Sequence, residues 1–73
     1  MTKKRDRFVR IAEARTNKLL AMLRLLGNCS DRNNYEYTED DVKQIFAILE
    51  KELKNSRNRF MGIDTKEEVF KLK

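Results

Sequence analysis

The sequence predicts an all-α protein: an antiparallel two-helix hairpin over about residues 4–26 and 39–61, with a short third helix over 65–72. Three observations predict it. The chain of 73 residues has no proline and only two glycines, so little of it is suited to loops. Apolar residues recur every three or four positions in two long stretches. Between them, Thr38 is followed by Glu39, Asp40 and Asp41, a strong signal for a helix start.

In the first stretch, Phe8, Ala12, Leu19, Met22 and Leu26 keep the spacing of one helical face, with Ile11 and Leu23 alongside. Arg15 fills the gap between Ala12 and Leu19. Gly27 follows, where a left-handed residue would end the helix. Residues 28–37 read as a polar connection, longer than most links between helices. Tyr35 and Tyr37 within it are expected to lie over the end of the bundle as a cap. In the second stretch Thr38 caps and Asp41, three residues on, completes a carboxylate variant of the capping box. Tyr37 and Val42 stand at the two positions of a hydrophobic staple. The apolar series continues through Val42, Ile45, Phe46, Leu49, Leu53 and Phe60, and Gly62 is the expected stop. Thr65 with Glu68 offers another capping box, and Val69, Phe70 and Leu72 offer apolar residues to pack back.

An antiparallel return brings Arg15 near Glu50, so a structural ion pair is expected there, with Glu52 as the second choice. Such a pair fixes register more than it stabilises. A chain this short supports one domain with one small core. Leu20, Leu23, Leu25 and Ile48 are surplus to a single seam and mark a dimer face. Two copies would then close a four-helix bundle. Folding of the C-terminal segment over the hairpin is the competing way to cover them.

Composition narrows the function classes. Hydrophobic and charged residues each make up 40% of the chain, which fits neither a disordered tail nor a membrane protein. No apolar run approaches the roughly 20 residues of a bilayer span. The basic N-terminus lacks the apolar segment of a secretory signal, so a cytoplasmic location is expected. One cysteine, Cys29, permits no internal disulfide and reads as a boundary residue rather than a reactive thiol. With no histidine, a zinc or iron–sulfur site is not expected, and the commonest acid–base catalyst is missing. No phosphate loop or nucleophile motif appears, and acid pairs such as Asp40/Asp41 and Glu67/Glu68 serve as helix caps. The expected protein is no enzyme and uses no cofactor.

Charge is where the sequence speaks of function. Residues 1–24 hold eight Lys/Arg and two acids, net +6, within a chain of net +5. Residues 25–41 hold one Arg and five acids, net −4. Lys3, Arg7, Arg10, Asn17 and Arg24 fall on one helical face, spaced by the small Ala14 and Ala21, with Lys4, Arg5 and Lys18 close by. A row of cations and an amide suits a nucleic-acid backbone; a merely solvated face is the plainer reading. Lys54, Arg57 and Arg59 form a second basic cluster, which in the hairpin would join the first as one basic pole. The connection of residues 28–37 is too long for a helix-turn-helix.

The runs Arg7–Phe8–Val9–Arg10–Ile11–Ala12, Arg15–Thr16–Asn17–Lys18, Leu25–Leu26–Gly27–Asn28–Cys29–Ser30 and Tyr35–Glu36–Tyr37–Thr38–Glu39–Asp40–Asp41–Val42 carry a resemblance. Over residues 7–60 the chain resembles short, functionally unassigned helical proteins of bacterial phages, plasmids and integrated mobile elements. The resemblance implies bacterial origin and a role in mobile-element biology, and implies no site. The expectation is a dimeric DNA-associated accessory or regulatory protein. The alternative is an adaptor or inhibitor whose bundle binds a protein partner.

Overall fold

The computed structural model describes residues 2–62 and Leu72. The chain is all-α over this range, with α1 spanning Lys3–Asn28 and α2 spanning Glu39–Phe60. The expected helix over 65–72 lies outside the described residues, apart from Leu72. The chain divides into two compact units, Met1–Glu36 and Tyr37–Lys73, one around each helix.

α1 begins one residue earlier than the apolar spacing indicates, because Thr2 caps it. The Thr2 hydroxyl accepts from the Arg5 backbone N–H at 3.0 Å, and Asp6 puts an acid in the first turn. Both satisfy or complement the free N–H groups of a helix start.

At the other end the expectation fails. Gly27 does not terminate α1, which runs through it to Asn28. The helix closes by tightening instead of reversing its hand. The Cys29 N–H reaches Leu26 O at 3.0 Å and the Ser30 N–H reaches Gly27 O at 3.1 Å. These i→i−3 bonds occupy the terminal carbonyls that a left-handed glycine would otherwise serve. Cys29 is therefore the C-cap, in ordinary right-handed geometry at φ −69°, ψ −4°.

The connection then organises itself around Asp31. Its carboxylate accepts from the Asn33 N–H at 2.9 Å and from Asn34 Nδ2 at 2.8 Å. Its carbonyl accepts from the N–H groups of Asn34 and Tyr35, at 3.2 and 3.0 Å. An aspartate that bonds the backbone two residues on is a turn in itself. The polar residues of this segment thus supply their own order. Tyr35 is exposed and Tyr37 half-buried, so the two rings have different surroundings.

α2 starts as its sequence indicates. The Thr38 hydroxyl accepts from the Asp41 N–H at 3.1 Å, and the Asp41 carboxylate accepts from the Thr38 N–H at 2.9 Å. The reciprocal bonds satisfy two backbone donors at once. Arg57 and Arg59 sit in the last turn, where cations suit the helix dipole. The helix ends at Phe60, and Gly62 takes φ +78°, the left-handed conformation that favours glycine.

Among the described residues none is buried. On α1 only Val9, Ile11, Ala12 and Leu26 are half-buried, while Leu19 and Met22 of the same apolar stripe are 65% and 63% exposed. A helix presents one apolar stripe and buries it only against another apolar surface.

Candidate nucleic-acid interface

Because α1 is unbroken for 26 residues, its side-chain directions follow from a turn of about 100° per residue. Lys3, Arg7, Arg10, Asn17 and Arg24 then share one face, centred about 160° from the apolar stripe of Phe8, Ala12, Leu19, Met22 and Leu26. All five are exposed. From Lys3 to Arg24 the row is about 32 Å long at 1.5 Å per residue.

The row is less purely basic than its cations imply. Asp6 and Glu13 lie within about 65° of its centre on the same helix. Together with Val9, Arg10, Ala14 and Asn17 they line an open, shallow depression on α1. Ala14 makes the dip, since its methyl group lies between the longer side chains of Arg10 and Asn17. Four cations of the row therefore share their face with two carboxylates. Spacing alone could have found these acids, since positions 6, 10, 13 and 17 follow one another at helical intervals.

Among the flanking cations, Lys4 and Lys18 are exposed. The Arg5 guanidinium lies over the Phe8 ring, 5.8 Å from its centroid, near the outer limit of a cation–π contact. That contact was readable as an i, i+3 pair of Arg and an aromatic. It keeps the arginine stem along apolar surface rather than in the row.

Lys54, Arg57 and Arg59 are exposed at the C-terminal end of α2 and belong to the second unit. Arg15 and Glu50 are both exposed and belong to different units. Of the four residues expected at a dimer face, Leu20, Leu23 and Leu25 are 43%, 47% and 59% exposed on α1, and Ile48 is half-buried on α2. On one continuous helix Leu25 points about 140° away from Leu20, so the three leucines of α1 spread around it instead of forming one patch.

Among the described residues no three His, Cys, Asp or Glu side chains are grouped to hold a metal ion. No described helix is long and apolar enough to cross a membrane. Comparison with protein-family models, with curated proteins and with solved structures finds no match to this chain.

Proposed function

We propose that the chain is a DNA-associated accessory or regulatory protein that grips phosphates through the α1 row, acting as a dimer in the cytoplasm of a bacterium. One observation carries the reading: Lys3, Arg7, Arg10, Asn17 and Arg24 lie exposed along one face of an unbroken helix. A length of about 32 Å matches roughly nine base-pair steps at 3.4 Å each, so the row can follow a duplex backbone or groove. The resemblance of residues 7–60 to proteins of mobile elements agrees with a DNA partner. Asp6 and Glu13 on the same face work against phosphate contact, so binding is expected to be modest and nonspecific.

The test is fluorescence anisotropy with a labelled mixed-sequence duplex at two salt concentrations. Four phosphate contacts correspond to a loss of about 10²-fold in affinity between 50 and 200 mM salt. Arg7→Glu with Arg10→Glu should abolish binding at the lower salt, and Asp6→Asn with Glu13→Gln should strengthen it. No binding by the unaltered chain at the lower salt defeats the proposal.

A second reading has its own support. Phe8, Leu19, Leu20, Met22, Leu23 and Leu25 are all at least 43% exposed on α1. Leu19, Met22 and Leu23 adjoin one another on one side of the helix, and a contiguous exposed apolar patch marks a protein-binding surface. Under this reading the chain is an adaptor or inhibitor, and the basic row serves solubility. Arg7→Glu with Arg10→Glu then leaves partner binding intact.

A further inference from the structure

We propose that α2 pairs with α2 of a second copy, antiparallel and staggered by one seven-residue repeat, along Val42, Phe46, Leu49 and Leu53. These residues stand at intervals of four, three and four, the seam spacing of paired helices. They belong to one unbroken helix and are 37%, 44%, 38% and 63% exposed. The charges that border the seam fit a second copy of the same helix.

One border of the seam carries Lys43, Glu50 and Arg57, each seven residues apart. The other carries Ile45, Glu52 and Arg59. In an antiparallel pair each border meets its own copy. Full overlap, with Val42 opposite Phe60, sets Lys43 against Arg57, Glu50 against Glu50 and Glu52 against Glu52. Every charged meeting is then between like charges. Sliding the copies by one repeat sets Lys43 of each against Glu50 of the other, and both of these meetings become attractive.

The same slide makes the four layers between Val42 and Leu53 apolar and leaves Glu39 opposite Ser56 only at the two ends. Val42 meets Leu53 and Phe46 meets Leu49, each twice through the two-fold axis. A slide in the other direction also matches charges, placing Glu50 against Arg57 and Glu52 against Arg59. It sets Leu53 opposite Ser56, however, and exposed ion pairs contribute little beside apolar burial. A parallel pair would place Glu39, Asp40 and Asp41 of both copies side by side, six acids at one end, with the helix dipoles aligned. α1 is the poorer mate for this seam, since its own stripe carries Arg15 in the middle. The pairing is independent of nucleic-acid binding.

The test is sedimentation of the full chain, with reductant present, over about a hundredfold range of concentration, where mass action reveals a weak dimer. Lys43 and Glu50 are both exposed, so their variants should keep the helical signal in circular dichroism. Lys43→Glu and Glu50→Lys should each weaken the dimer about tenfold, by replacing two attractive meetings with two repulsive ones. The double variant Lys43→Glu/Glu50→Lys should recover most of the loss. A monomer at every concentration overturns the proposal and returns the seam to its own chain or to a foreign partner. A double variant as weak as the singles overturns the register.

Discussion

The two glycines of this chain do opposite things. Gly62 holds φ +78° just beyond α2, a conformation in which a Cβ is strained. Gly27 lies inside α1 without positive φ, and a Cβ built there meets nothing within 4 Å. Gly27→Ala should therefore raise stability by about 1 kcal/mol, the difference in helix propensity and unfolded-state entropy between the two residues. Gly62→Ala should lower it by about 1 kcal/mol. Urea titration followed by circular dichroism measures both, and equal effects of the same sign would contradict the two conformations. The sequence treats these residues alike, because each follows an apolar helical stretch. What separates them is place: α1 runs on through Gly27 to Asn28, whereas α2 stops at Phe60, two residues before Gly62. After Gly27, the polar run from Asn28 to Asp31 provides N–H groups for the terminal carbonyls within a right-handed turn.

At the scale of elements, local chemistry was the readable part. Thr38 and Asp41 bond each other across four consecutive residues, so the start of α2 is written in the sequence itself. The periodicity of the cations on α1 was equally readable. Asp6 and Glu13 enter the sequence only as a reduction of net charge, because a sum over residues 1–24 does not say that they share the face of the cations. Least readable was the connection. Its length implies packing against something else, yet Asp31 alone accepts four hydrogen bonds from the three residues Asn33, Asn34 and Tyr35. Asp31→Ala removes both carboxylate bonds and leaves the carbonyl. The amide of Asn33 should then exchange with solvent several-fold faster by nuclear magnetic resonance, while amides in the middle of α2 keep their rates. An unchanged Asn33 rate would show that the turn is held by other means.

For the whole molecule, the fold class was readable, and what covers the apolar residues was not. Composition counts apolar residues without saying what covers them, and here no described residue is buried. Unfolding should accordingly expose little new surface. The urea dependence of stability is expected below the usual 1–3 kcal/mol per molar for small proteins, with a midpoint that rises with protein concentration if copies pair. A steep, concentration-independent transition would mean that the isolated chain already encloses a full core. Cys29 adds a practical consequence. It is exposed where α1 ends and it is the only thiol of the chain. Air oxidation can join two chains there through a single sulfur–sulfur bond, giving a particle of the same mass as a pair held along α2. Storage history can thus counterfeit an assembly state. The same solitary sulfur also gives each chain one defined attachment point for a dye, at the junction between α1 and the turn around Asp31.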